Sequence, residues 1–227
     1  MNILEYNIKN NHLSIDRFRE MDYLAVEQYH LPVELMMENA GLQLARLVIN
    51  FLPRRGKILI GIGPGNNGGG GLVAARRLAG WGFHVHLDIP EKNLRELPAI
   101  QLERALSTGV SAYSVTDPGI FVDAYLGFSQ RLPLQKTVQQ SIEAAKELSC
   151  LKISLDLPTG FNKNTGETIF TPEIILTLAA MKTELLSLSG KSIFYLADLG
   201  IPEAVYHHFG LKQASVFRDS GLLKCIF

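Results

Sequence analysis

The sequence predicts an α/β domain: a mostly parallel sheet with helices on both faces, preceded by two helices. Three observations predict it. Short apolar runs rich in β-formers alternate with helix-period segments between residues 57 and 157. Two helix-period segments precede the first of those runs. A glycine-rich stretch, Gly61 to Gly71 (GIGPGNNGGGG), then joins the first run to the helical segment that follows. No repeat, low-complexity linker or composition break divides the 227 residues, so 1–227 reads as one domain.

The elements follow in order. Ser14 can cap a helix to Glu27, with Phe18, Met21, Leu24 and Ala25 at helical spacing. Pro32 opens a second helix with the stripe Leu35, Met36, Ala40, Leu44 and Leu47, and this helix stops before Pro53. Strands are predicted over 57–62 (KILIGI), 83–89 (FHVHLDI), 119–126 (GIFVDAYL) and 151–157 (LKISLDL). Helices are predicted between them at 72–79, 98–107 and 137–148, which makes right-handed crossovers and a parallel sheet. Beyond Thr171, EIILTLAA and SIFYLADLGIP read as edge strands.

Composition narrows the function classes. Lys plus Arg and Asp plus Glu each number 22, so the net charge is zero and no bulk electrostatic hold on nucleic acid or membrane is expected. Cys150 and Cys225 form no spaced framework and read as reduced thiols. The N-terminal stretch lacks a signal-peptide core, and no apolar run reaches the ~18 residues of a span. The expected location is the cytoplasm.

In an open parallel sheet the ligand crevice lies beyond the carboxyl ends of the strands. The first strand runs into the glycine stretch with Asn66 and Asn67. A tight turn needs one or two glycines, and this stretch has seven, so a ligand lying against the backbone is the better reading. It is not a phosphate-binding lysine loop, because no Lys-Ser or Lys-Thr follows. Asp88, Asp123 and Asp156 each sit near the end of an apolar strand, and Thr159 follows the last. A carboxylate, an amide oxygen and a hydroxyl, as on Asp123, Asn67 and Thr159, suit a hard cation. His84 and His86 share one strand face without a third ligand, and Met36 and Met37 read as core. Glu38 and Asn39 read as polar contacts to a neighbouring loop.

Taken together, Met37-Glu38-Asn39-Ala40-Gly41, Gly65 through Arg76 (GNNGGGGLVAAR), Asp123-Ala124 with Gly127, Asp156 through Asn162 (DLPTGFN) and Ala197 through Pro202 (ADLGIP) resemble one family in order along the chain. This is the YjeF N-terminal domain family, the NAD(P)H-hydrate epimerases. The resemblance implies a Rossmann-like, three-layer αβα fold and a repair activity. NADH and NADPH hydrated across the nicotinamide 5,6 double bond exist as R and S epimers at C6. The family interconverts them, so that a dehydratase accepting only the S form can regenerate the coenzyme. The resemblance therefore implies a dinucleotide substrate and, for a chain of 227 residues, a separate dehydratase acting in the same pathway. A homodimer through the N-terminal helices is a further expectation from analogy.

Carried over residue by residue, the resemblance implies substrate contacts at Asn66, Asn67, Gly68, Gly69 and Gly70, and along Gly127, Phe128, Ser129, Gln130, Arg131, Leu132 and Pro133. It implies potassium ligands at Asn67, Asp123 and Thr159, and the catalytic carboxyl at Asp156, which also binds substrate. The chain departs from the family pattern at Gly70, where the family has Asp, at Thr159, where it has Ser, and at 181–184, where MKTE replaces a Pro-Lys-Pro-Gly-like stretch that shares Lys182. Gly70 leaves a second reading open, a weak or inactive member that binds a nucleotide or a protein. Relatives of the domain in apolipoprotein A-I-binding protein and decapping enhancers give that reading precedent. A nicotinamide-dependent oxidoreductase would rest on the glycine stretch alone.

Overall fold

The computed structural model describes residues 3–52 and 55–227, so Pro53, the expected stop of the second helix, lies outside the described residues. The strands are β1 (Leu4–Asn7), β2 (His12–Leu13), β3 (Lys57–Ile62), β4 (His84–Asp88), β5 (Ile120–Ala124), β6 (Leu151–Leu155), β7 (Ile174–Leu178), β8 (Met181–Lys182), β9 (Ile193–Ala197) and β10 (Leu222–Ile226). The helices are α1 (Ile15–Glu27), α2 (Val33–Phe51), α3 (Asn66–Gly80), α4 (Glu96–Leu106), α5 (Lys136–Lys146), α6 (Glu203–His208) and α7 (Ala214–Phe217). A 3₁₀ helix covers Thr183–Leu188.

The eight-stranded sheet has the order β1-β10-β9-β7-β6-β5-β3-β4. Among the described residues only the β9–β10 pairing of this sheet is antiparallel. Side chains of one parity, such as Ile60, Val122, Leu155 and Leu176, pack under α2, α3 and α4. Those of the other parity split between α5 at Phe121 and α1 with α6 and α7 at Phe194 and Leu223. This makes three layers, with the two N-terminal helices in opposite ones: α2 covers the α3 face and α1 the other.

Two expectations are corrected. EIILTLAA and SIFYLADLGIP form β7 and β9, which are interior strands rather than edges, because β10 and β1 extend the sheet beyond them. The actual edges are β1 and β4. The helix expected from Leu72 begins at Asn66, so most of the glycine stretch is helical. Intrinsic propensity disfavours this by about 1 kcal/mol per glycine. Close packing overrides propensity. A Cβ on Gly68 would lie 2.0 Å from the Gly63 carbonyl, one on Gly71 2.7 Å from Ala124 Cβ, and one on Gly41 of α2 2.4 Å from Val73 Cβ. None of the glycines from 61 to 71 has a positive φ, so it is absence of a side chain, not backbone freedom, that the fold uses there.

Candidate functional site

The chain leaves β3 through α3 to reach β4 on one side, then returns through α4 to β5 on the other side of β3. Beyond the carboxyl ends of β3 and β5 the strand order therefore reverses, the place where open α/β sheets hold ligands. A cavity of about 230 Å³ opens there. Asn66, Asn67 and Gly70 of α3 line one side, and Leu126 to Gln130 line another. Val33, Met36, Met37 and Ala40 of α2 form an apolar wall with Leu155 and Leu199. Phe18 and Asp22 close it from α1, and Arg95 stands in its lining. Gly70 keeps the floor open: a Cβ there would meet Leu155 Cδ2 at 3.2 Å.

Asp156, the first residue after β6, enters this cavity in the left-handed region at φ +67°. Asp tolerates that conformation better than most side chains, and three bonds hold it. Its N–H donates to the Leu176 carbonyl at 2.8 Å, its Oδ2 accepts from Phe128 N–H at 2.9 Å, and its Oδ1 lies 2.8 Å from Lys182 Nζ. Lys182 is fully buried. Its ammonium also donates to the Leu178 carbonyl at 2.8 Å and Thr177 Oγ1 at 3.2 Å, and sits 3.7 Å from the Phe18 ring centroid. Burial pushes its proton affinity down, while Asp156, in contact, pushes it back up. Nζ thus lies against three oxygens, two of them in hydrogen bonds and the third, Asp156 Oδ1, in an ion-pair contact, a setting that suits an ammonium. On Asp22, half-buried in the lining, burial raises the proton affinity, Lys182 opposes that shift and Asp156 adds to it.

Beneath the cavity, Asp123 is fully buried on the α5 and α1 face of β5. Its Oδ2 accepts from Ser154 Oγ and Thr159 N–H, both at 2.8 Å, and its Oδ1 accepts from Thr159 Oγ1 at 2.6 Å and Tyr125 N–H at 3.3 Å. None of these partners is charged, and burial raises its proton affinity. Asn67 donates from its amide nitrogen to the Leu155 carbonyl at 3.2 Å, and its Oδ1 faces Gly127. Asp156 Oδ2 faces the same Gly127, where an added Cβ would be 3.0 Å from it and 3.2 Å from Asn67 Oδ1.

The sequence-predicted residues thus divide. Asn66, Asn67, Gly70, Gly127, Phe128, Ser129, Gln130 and Asp156 come together around the cavity. Gly68 and Gly69 do not line it: Gly68 packs on Gly63 and Gly69 under Met37. Arg131, Leu132 and Pro133 are exposed and outside the lining, because the chain turns away after Gln130, whose side chain is bonded to Pro158 O and Gly160 N. Asp123 and Thr159 meet each other but lie under the floor. Asp88 accepts the Tyr125 hydroxyl and stays out of the lining. Glu38 binds Arg76 and Arg77 of α3 rather than a loop, and Asn39 donates to the Leu199 carbonyl as expected. Phe18, Asp22 and Arg95 are in the lining but were not singled out by the motifs, and Lys182 was noted without a role. The available signal was an acidic residue on the apolar stripe of α1, one turn beyond Phe18.

Comparison with known proteins adds an independent line. Residues 33–184 match the model of the family described as YjeF-related protein N-terminus. An NAD(P)H-hydrate epimerase of Dehalogenimonas lykanthroporepellens is 37% identical over 88% of this chain and 86% of its own length. One of Rhodopirellula baltica is 33% identical over 88% of both. The bifunctional NAD(P)H-hydrate repair enzyme Nnr of Thermofilum pendens is 31% identical over 92% of this chain and 41% of its own length. The crystal structure of yeast ynu0, YNL200c, shares the fold with a TM-score of 0.82 at 23% identity, over 94% of this chain and 99% of that one. The match over 33–184, together with relatives above 30% identity along most of the chain, shows that this protein belongs to the YjeF-related N-terminal family.

Proposed function

We infer that this chain is an isomerase that interconverts the R and S epimers of hydrated NADH and NADPH at C6, a nicotinamide nucleotide repair activity. One observation carries the reading: the Asp156 carboxyl is held 2.8 Å from the ammonium of a buried lysine at the edge of an apolar cavity of about 230 Å³. That volume suits a reduced nicotinamide ring, not a whole dinucleotide, so the rest of the substrate lies toward the mouth. There α3 starts without a side-chain cap, and the unpaired N–H groups of its first turn suit the pyrophosphate.

The chemistry at C6 needs little from the protein. The ring nitrogen lone pair forms a C6=N bond as the C6–O bond breaks, and the hydroxyl oxygen takes up one proton from an acid of the site and leaves as water. Water then adds to the other face of the planar cation and gives up a proton. Asp156 takes that proton and, in the reverse direction, returns it. A carboxyl group positioned for this contributes ~10²–10⁴-fold in rate. The apolar wall excludes bulk water from the developing cation, so the polar groups of the lining act on it in a low-dielectric setting.

Potassium fits the donor set of Asn67, Asp123 and Thr159. All three offer oxygen, only one is charged, and Asp123 is a fully buried carboxylate whose partners are uncharged. Buried charges of that kind are paired or bind a cation. A bound potassium supplies charge balance and fixes the ends of β5 and β6. The pathway requires a dehydratase, and the bifunctional Thermofilum relative supports a partner of that kind. Among the described residues no helix is long and apolar enough to cross a membrane, in keeping with a cytoplasmic location. Tyr23, Tyr29 and Leu35, exposed around α1 and α2, are the surface a homodimer would cover.

The test is chiral separation of R and S hydrate after incubation with wild type and with Asp156→Asn. Exchange above the spontaneous rate in the first and its loss in the second support the reading. Equal exchange in both removes Asp156 from it.

A further inference from the structure

The Asp156–Lys182 ion pair leaves the reaction short of one group. A carboxylate already neutralised by an ammonium and bonded to Phe128 N–H is a proton acceptor. Departure of the C6 hydroxyl needs a proton donor. A second carboxyl enters the same cavity from a different layer. Asp22 lies one helical turn beyond Phe18 on the inner face of α1, and both line the cavity. Phe18 is locked between the Lys182 ammonium and the Phe128 ring, whose centroid is 5.2 Å from its own. The N-terminus of α1 is fixed as well: the Ile15 N–H donates to the Glu184 carboxylate at 3.0 Å, and Glu184 lies two residues from Lys182. The segment that holds the Asp156 carboxyl therefore also sets the position of the helix carrying Asp22.

We propose that Asp22 is a second acid–base residue of this site, acting on the C6 oxygen from the α1 side while Asp156 acts from the sheet side. The inference rests on the epimerase reading. In one direction protonated Asp22 gives its proton to the C6 hydroxyl oxygen. The C6–O bond breaks with its electron pair on oxygen, water leaves, and the ring nitrogen forms the C6=N bond. An incoming water attacks C6 on the other face and loses a proton to the Asp156 carboxylate. The reverse direction exchanges the roles; one turnover consumes one water, releases one and leaves the proton on Asp156, from which it returns to Asp22 by exchange with solvent. Two carboxyl groups with unequal proton affinities suit this division. Burial favours the protonated form of Asp22, Lys182 opposes it and Asp156 adds to it, while the Asp156 carboxyl is held in contact with the Lys182 ammonium. The charged groups facing Asp22 from the sheet side are Asp156 and Lys182. On its own helix, Arg17 lies over Phe209 and pairs with Glu20, and Arg19 lies over Phe128 and pairs with Asp16.

The experiment compares wild type, Asp22→Asn and Asp22→Glu in the chiral exchange assay across pH, with thermal unfolding measured for each. Wild-type exchange no faster than the spontaneous rate defeats the epimerase reading and the inference with it. With an active wild type, the expected result is a loss of ~10²–10⁴-fold in kcat for folded Asp22→Asn, disappearance of the alkaline fall in rate, and partial recovery in Asp22→Glu. Full activity in Asp22→Asn overturns the inference. A loss that leaves the pH profile unchanged, or that Asp22→Glu does not relieve, also overturns it and makes Asp22 a packing residue. If Asp22→Asn unfolds, the pH profile and activity of Asp22→Glu decide: a displaced alkaline limb supports the inference, and a wild-type limb refutes it.

Discussion

Replacing Lys182 by Met tests the electrostatic core of the site. Methionine keeps a long unbranched apolar stem but removes the ammonium and its contact with Phe18. Lys182 is fully buried and its Nζ is 2.8 Å from Asp156 Oδ1, so no solvent takes over the role of counter-charge. Removing one member of such a pair leaves an uncompensated buried ion and costs about 3–5 kcal/mol. For a chain of this size, 1 kcal/mol moves Tm by about 2–4 °C, so the melting temperature should fall by ~6–20 °C at neutral pH. An internal control identifies the cause. Adding Asp156→Asn to Lys182→Met should restore most of the stability, giving a favourable coupling of more than ~2 kcal/mol in the double-mutant cycle. Urea unfolding at neutral pH measures both. A single variant within about 1 kcal/mol of wild type, or a double variant no better than the single, would refute the ion pair as the support of Asp156.

Gly68→Ala should destabilise by about 1–3 kcal/mol, because its Cβ would lie 2.0 Å from the Gly63 carbonyl, whereas Gly65→Ala, with nothing within 4 Å, should stay within about 0.5 kcal/mol in the same denaturation assay. Asp22→Asn should alter the pH dependence of stability. Burial raises the folded-state proton affinity of Asp22, so its stabilising contribution is complete below the ordinary value of 3.8 and is lost as pH rises through the raised one. The variant should therefore gain on wild type in Tm from acid to neutral pH; a parallel pair of curves would contradict this. Potassium should raise Tm relative to tetramethylammonium at equal ionic strength, and Asp123→Asn should abolish the increment; an equal increment in the variant would place the cation elsewhere.

Much of the layer order was legible because strand runs such as KILIGI and LKISLDL are continuous, apolar and bounded by turn residues. The outer strands were not. β1 (LEYN) carries an acidic residue and is four residues long, and β10 (LLKCI) is broken by Lys224, so neither stands out from a loop, and β7 and β9 look like the outermost strands in the sequence. The start of α3 was missed because glycine propensity argues against helix, while the deciding contacts come from α2 and β5, distant in sequence. At the site, Asn67 and Asp156 were legible as polar residues following apolar strands. Lys182 looks like an ordinary charge after a strand, and only the fold reveals it as fully buried against Asp156. Asp22 reads as one more charge on a helix until its neighbour Phe18 is seen to face the cavity.

The most direct measurement is the rate of R-to-S exchange of hydrated NADPH by the purified chain in potassium buffer, followed by chiral chromatography beside Asp156→Asn. Acceleration over buffer that falls by ~10²–10⁴-fold in the variant is the expected result. A folded wild-type chain that leaves the epimers to interconvert at the buffer rate would contradict it.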